Sequence, residues 1–298
     1  MKTPTAGREI YKVTFVGLIV NIILTAAKYL AGFFGRSSAM IADATHSLSD
    51  IISDVIVLFF VKIAARPMDE NHRYGHGKFE TFSTFVVGVI LAVVGFGILW
   101  DTGKNILLFS QGVIKEVPGI IALAAAVASI LIKEALFWYT LLIARKYNSQ
   151  LLRANAWHHR SDALSSVATL LGIGGAIFLG GKWQILDPIA AGIVSFMILR
   201  VAWKIILPAV NDLLEKSLSK ETNDEISSIV GSVTHVQEPH GLKTRRIGNN
   251  IAIEINIKID STMSVYDSHE VTLVVENKLK EKFGNDTHIV IHVDPAIS

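Results

Sequence analysis

The sequence predicts an α-helical membrane protein with six transmembrane helices, followed by a small α+β domain. Hydrophobic residues make up 51% of the chain, and the mean hydropathy of +0.45 is too high for an ordinary soluble domain. Six apolar stretches approach the length of about 20 residues that a helix needs to cross a bilayer. After Pro208 these stretches give way to shorter helix and strand patterns. We therefore expect a transmembrane domain at residues 1–208 and a second domain at residues 209–298.

The predicted transmembrane helices are separated by short glycine- and proline-containing connections. They cover residues 12–34, 39–64, 81–101, 118–144, 155–180 and 187–208. With six spans, both chain ends lie on the same side of the membrane. Ten basic residues flank that side: Lys2, Arg8, Lys12, Lys62, Arg66, Arg73, Lys78, Arg145, Lys146 and Arg153. Only four flank the other side, Arg36, Lys104, Lys115 and Lys182, so the positive-inside rule predicts cytoplasmic N- and C-termini.

The C-terminal domain is predicted to have the element order αββαβ. Helical spacing of apolar residues covers Glu221–Val233 and Ser268–Phe283, and strand patterns cover Leu242–Arg246, Ile251–Ile259 and Ile289–Val293. This order suggests a two-layer domain with both helices on one face of a sheet. The domain is net acidic, whereas the membrane part is net basic.

Two copies of a His-x3-Asp pattern lie in the second and fifth predicted spans, as His46/Asp50 and His158/Asp162. Residues four apart share a helix face, so each copy directs an imidazole and a carboxylate the same way. Ionisable groups at membrane depth are expensive and mark ion or proton pathways. Two imidazoles and two carboxylates suit tetrahedral Zn2+. Because these ligands bind metal only when deprotonated, protons are the natural counter-ion of such a site.

Nearby polar residues are open to two interpretations. Asp43 and Asp54 lie on the same helix face of the second span as His46 and Asp50, and they either line an access route to the metal or have no part in transport. Asn21 and Lys28 in the first span are equally ambiguous. His159 is rotated by about 100° from His158 and is expected to face elsewhere.

Two further groups of residues could hold metal. The loop between spans two and three contains Asp69, His72 and His76, which either chelate a second ion or belong to a basic loop that meets lipid headgroups. In the C-terminal domain the candidates are His240, His269, His292 and Asp294, whose alternative role is that of ordinary surface residues.

Several function classes are disfavoured. The chain has no cysteine, which excludes disulfides and thiolate ligands, and it has no basic, aromatic-interleaved stretch of the kind that binds nucleic acid. A phosphate-binding G-x-x-x-x-G-K-[ST] loop and a zinc-peptidase His-Glu-x-x-His motif are both absent. We therefore do not expect an enzyme. A metal sensor or assembly protein that binds without transporting stays open as an alternative.

Together these features resemble the cation diffusion facilitator family over essentially the whole chain. The resemblance rests on the six spans, the paired His-x3-Asp motifs, the loop sequence from His72 to Lys78, and the αββαβ tail. It implies a homodimeric, proton-coupled exporter of divalent metal that works by alternating access. It also implies a ferredoxin-like cytoplasmic domain that dimerises and binds zinc between protomers. The residues that match the family's metal ligands are the two His-x3-Asp pairs of the membrane part, the three loop residues Asp69, His72 and His76, and the four candidates of the C-terminal domain.

Details of the match bear on the metal and on the origin of the chain. His46 resembles the zinc-selective members, whereas other bacterial members carry Asp there; exporters of Fe2+, Mn2+, Co2+ or Cd2+ are the alternatives. Asn256 stands where those relatives have a further histidine. The connection from Arg145 to Arg153 is short, which favours a prokaryotic inner-membrane protein. Charge pairs near the membrane surface of the family suggest that Lys78 pairs with Glu215.

Overall fold

The structure is a computed structural model that describes residues 4–64, 66–112, 117–147, 149–248 and 250–296. Six long helices come first, and a 3-10 turn at Gly181–Ile185 precedes the last of them. The helices are α1 (Pro4–Phe34), α2 (Ser38–Ala64), α3 (Lys78–Ser110), α4 (Ile120–Lys146), α5 (Gln150–Leu179) and α6 (Leu186–Leu213). The tail then contains α7 (Lys220–Gly231), β1 (Gln237–Ile247), β2 (Asn250–Asp260), α8 (Val265–Phe283) and β3 (His288–Ala296). The predicted fold class, a helical membrane region followed by an αββαβ domain, is confirmed.

Five helices among the described residues are long and apolar enough, by length and composition, to cross a membrane. They are Tyr11–Phe34, Lys78–Ser110, Ile120–Lys146, Asn155–Leu179 and Gly181–Leu213. Helix α2 corresponds in position to the predicted second span and has 27 residues, but it carries Asp43, Asp50 and Lys62 and is not one of the five.

Two of these helices extend past their predicted ends. Helix α3 continues beyond residue 101 to Ser110, and the side-chain amide of Asn105 in this extension donates a hydrogen bond to Ser38 Oγ at 3.2 Å. Helix α6 continues through Pro208 to Leu213, so the predicted domain boundary at residue 208 lies inside a helix.

The chain forms two compact units. The first contains the residues up to Ile56 together with Val87–Lys204. One of its buried clusters consists largely of small side chains such as Ala31, Ala39 and Ala122. The Asp187 carboxylate accepts hydrogen bonds from Ser37 Oγ at 2.6 Å and from the Ser38 backbone N–H at 2.7 Å. The start of α6 thus supplies acceptors for the unpaired donors at the start of α2.

The second unit contains Val57–Val86 and Ile205–Ser298. Its sheet has the order β1-β2-β3, with β1 antiparallel and β3 parallel to β2. The buried face of β2 presents Ile253, Ile255, Ile257 and Ile259 to a core completed by α7 and α8. Burying one isoleucine side chain contributes about 1.5–3 kcal/mol, so this row is a main source of the stability of the domain.

Candidate metal centres

The first candidate centre lies between α2 and α5 in the first unit. His46 and Asp50 are one helical turn apart on α2, and Asp162 is buried on α5. One ligand atom from each of these three residues lies within 4.8 Å of the other two. Three of the four residues in the two His-x3-Asp motifs therefore lie close enough together to bind one ion.

The fourth member, His158, lies at the edge of this cluster. Its Nδ1 is 3.7 Å from Asp162 Oδ1, and its side chain is 50% exposed. It sits one turn before Asp162 on the same helix face, as the sequence spacing requires. The structure thus has three residues in a tight group and the second histidine beside them.

The donor set of the cluster fits a divalent transition metal. The Nδ1 atom of His46 is buried and has no hydrogen-bond partner among the described residues, and a buried nitrogen of this kind is costly unless something else binds it. One imidazole and two carboxylates are ligands that zinc takes, with manganese and iron accepting oxygen-rich variants.

Sequence reasoning missed a lysine that contacts this cluster. Lys133, in the middle of α4, is buried, and its Nζ donates a hydrogen bond to Asp162 Oδ2 at 2.6 Å. An ionisable residue inside a membrane-length apolar helix was the available indication. Its partner is 29 positions away on the next helix, so only the packing of α4 on α5 reveals the pair.

A second buried ion pair joins α1 to α2. Lys28 Nζ lies 2.8 Å from Asp43 Oδ2, and both side chains are 1% exposed. Ser47 and Ser166 accept hydrogen bonds from the same ammonium group, at 3.2 and 3.3 Å. Asp43, left open by the sequence, is thus the counter-ion of a lysine, whereas the side chain of Asp54 lies outside what the structure describes.

His159 packs against α1. It is buried, and a Cβ placed on Gly17 would lie only 3.3 Å from its Nε2. The expectation that the neighbouring histidines of α5 face different ways agrees with this contact.

A second candidate centre lies in the loop before α3. Ligand atoms of Asp69, His72 and His76 all lie within 4.8 Å of one another. The backbone N–H of His72 donates to Asp69 Oδ1 at 2.7 Å, and this hydrogen bond holds the pKa of the Asp69 carboxyl below its usual value. The carboxylate therefore stays ionised, and able to bind a cation, to lower pH than an ordinary aspartate.

The loop is fixed against the tail within the second unit. Gly248 has φ +62°, and a Cβ on it would lie 2.6 Å from the carbonyl oxygen of Gly77, so the two backbones meet where no side chain fits. Lys78 Nζ donates to Glu215 Oε1 at 2.8 Å, which confirms the predicted pair. This hydrogen bond from Lys78 lowers the pKa of Glu215.

The tail brings together three of its four predicted ligands. The Asp294 carboxylate lies 3.2 Å from His240 Nε2 and 3.2 Å from His292 Nε2. Strand register places His240, Asn256 and His292 in one row across the three strands. Asn256 thus occupies the central place between two histidines. His269 lies on α8, and among the described residues no hydrogen bond or ion pair joins it to the other three.

Comparison with known proteins covers both parts of the chain. Residues 14–214 match the profile described as "Cation efflux transmembrane domain", and residues 218–296 match "Cation efflux protein, cytoplasmic domain". The chain is similar to the uncharacterized transporter MJ0449 of Methanocaldococcus jannaschii, with 35% identity over 96% of this chain and 99% of the relative. It is similar to the manganese efflux system protein MneP of Bacillus subtilis, with 32% identity over 95% of each.

Longer relatives and a solved domain complete the comparison. Metal tolerance protein C1 of Arabidopsis thaliana is 35% identical over 97% of this chain, which spans 63% of the length of the plant protein. A solved structure, the metal-bound C-terminal domain of the CzcD transporter from Thermotoga maritima, is 30% identical over 26% of this chain and 94% of that domain, with a TM-score of 0.24. The two profiles and the full-length relatives together place the chain in the cation diffusion facilitator family of membrane metal-cation transporters.

Proposed function

We propose that this transporter exports a divalent transition metal, foremost Zn2+, from the cytoplasm in exchange for protons. The observation that carries the proposal is the cluster of half-buried His46, half-buried Asp50 and buried Asp162, whose ligand atoms lie within 4.8 Å of one another. Charged and imidazole groups on helices of a membrane transporter are costly and are typical of ion pathways. His158 lies close enough to Asp162 to join them by a side-chain rotation.

The chemistry of the ligands couples metal to protons. In an inward-facing state the deprotonated cluster takes metal from the cytoplasm, and binding favours closure of that side. In the outward-facing state the metal leaves as protons bind the imidazole and carboxylate groups, because these ligands hold metal only when deprotonated. The inward proton gradient then drives the return. We place the protein in the inner membrane with both termini cytoplasmic, as a homodimer joined through its tail.

The identity of the metal has two candidates with different support. Two imidazoles among four ligands favour zinc over harder ions. The similarity to MneP, named as a manganese efflux protein, favours Mn2+. We propose zinc because His46 belongs to the tight cluster and supplies a nitrogen donor, whereas Mn2+ favours oxygen ligands.

The test is metal flux into proteoliposomes under an imposed pH gradient. The native protein is compared with Asp162→Ala and with Asp101→Ala, which removes an exposed carboxylate of α3 outside the cluster. We expect gradient-dependent zinc uptake in the native protein and in Asp101→Ala, and its loss in Asp162→Ala. If the native protein binds zinc but does not transport it, a metal sensor is favoured. If manganese is transported faster than zinc when both are present, Mn2+ is favoured as the substrate.

A further inference from the structure

Lys133 shares the carboxylate of Asp162 with the candidate metal cluster. Its side chain is 3% exposed and that of Asp162 is 7% exposed, and the 2.6 Å contact takes up one of the two carboxylate oxygens of Asp162. The other oxygen faces His158 at 3.7 Å. Asp162 therefore meets a cation from within the chain at the same carboxylate that belongs to the candidate metal cluster.

The other lysine that is buried among the described residues is engaged elsewhere. Lys28 directs its ammonium group to Asp43, Ser47 and Ser166, none of which belongs to the metal cluster. Lys133, by contrast, shares its partner with the metal. A buried carboxylate without a cation is strongly unfavourable among apolar helices. A tethered ammonium group removes that cost whenever no metal is bound.

We propose that Lys133 is a tethered competitor of the transported metal, a residue that sets metal affinity and release at the membrane site. The inference rests on the proposed function, since it takes the cluster to be the transport site. When metal binds Asp162, the Lys133 ammonium group withdraws with its proton; when metal leaves, it returns to the carboxylate. The exchange trades one cation for another at one carboxylate, and no bond to carbon is made or broken.

This competition weakens metal binding and speeds release. A hydrogen bond between a charged donor and a carboxylate typically contributes enough to change an affinity by roughly 10- to 100-fold. A metal that must break this contact binds more weakly by a factor in that range. Removing the charge should therefore tighten zinc binding at the membrane site by at least about tenfold and slow turnover at saturating zinc.

The experiment is zinc titration of the full-length protein in detergent against a competing fluorescent chelator. Lys133→Gln keeps a donor for Asp162 without the charge, Lys133→Met removes both, and Lys133→Arg keeps the charge. Lys146→Gln removes an exposed charge near the end of the same helix, about 20 Å along its axis. Each protein is measured with and without Asp50→Asn, and only the binding that Asp50→Asn removes is assigned to the membrane site.

The proposal expects tighter Asp50-dependent binding in the Gln and Met variants, and the native affinity in the Arg variant and in Lys146→Gln. Unchanged or weaker binding in both neutral variants overturns it, because a merely structural lysine gives that result. If the native protein has no Asp50-dependent binding, the proposed transport site itself is wrong. If neither neutral variant folds, the native protein labelled with 15N-lysine decides: the Nζ resonance that Lys133→Arg removes must shift on zinc addition, and a fixed resonance overturns the proposal.

Discussion

The buried pair of Lys28 and Asp43 allows a quantitative test of the membrane unit. Both side chains are 1% exposed, and their charged atoms are 2.8 Å apart. Removing one partner of such a pair leaves the other charge buried and costs about 3–5 kcal/mol. At about 2–4 °C per kcal/mol for a protein of this size, Lys28→Met or Asp43→Leu should lower the melting temperature by about 10 °C.

The double variant Lys28→Met/Asp43→Leu shows whether the instability of each single variant comes from the unpaired charge that it leaves buried. Replacing both charges by apolar groups of similar volume is often neutral, so we expect a melting temperature within about 3 °C of the native value. The assay is thermal unfolding in detergent followed by tryptophan fluorescence, with Lys146→Met as the control for loss of an exposed lysine. A double variant as unstable as the sum of the single variants would refute the reasoning, because the two charges would then act independently.

Three further predictions concern the second unit. Lys78→Met should destabilise by less than about 1 kcal/mol, since the pair with Glu215 is half exposed. Because the pKa of Glu215 is lowered in the folded protein, this difference should be complete above the usual glutamate pKa of about 4.3 and should be lost as pH falls through the lower folded-state pKa, as measured by urea unfolding across pH. Ser264→Ala removes the N-cap of α8, where Ser264 Oγ accepts from the Asp267 N–H at 3.1 Å, and should cost about 1 kcal/mol in the same assay. Asn256→His places an imidazole between two others and should raise zinc affinity of the tail by at least about tenfold, measured by titration.

Each of these predictions has a result that contradicts it. A Lys78→Met difference that grows toward pH 3 would mean that the pair is not what lowers the pKa of Glu215. An unchanged urea midpoint for Ser264→Ala, with Ser228→Ala as the control at an exposed serine within α7, would show that the cap contributes nothing. If Asn256→His binds zinc no more tightly than the native protein, the row of residues across the three strands is not a metal site.

Hydrophobic patterning predicted the helices because apolar surface dominates their energetics. The tail order αββαβ followed from switches between helical and alternating periods, as in the alternating run from Ile251 to Ile259. The ends of elements were less predictable. Strand β1 reaches back to Gln237 because it pairs with Lys258 across a register irregularity, and this pairing is not visible in the hydropathy of β1 itself.

The candidate site was predictable only where its members repeat a local spacing. His46 and Asp50, like His158 and Asp162, are one turn apart, so a helix alone brings each pair to one face. The contacts of Lys133 with Asp162 and of Lys28 with Asp43 depend on how helices pack, with partners 29 and 15 positions apart. Burial also separates residues that look alike in the sequence: His46 is in the tight cluster, whereas His158 is half exposed.

The central claim is that α2 and α5 hold the transported metal. Anomalous diffraction from zinc-loaded crystals, recorded on both sides of the zinc absorption edge, locates the ion directly. We expect a zinc peak at about 2.0–2.2 Å from His46 nitrogen and from carboxylate oxygens of Asp50 and Asp162, with the Lys133 ammonium group withdrawn from Asp162. Zinc peaks confined to the loop and the tail, with Lys133 still on Asp162, would contradict it.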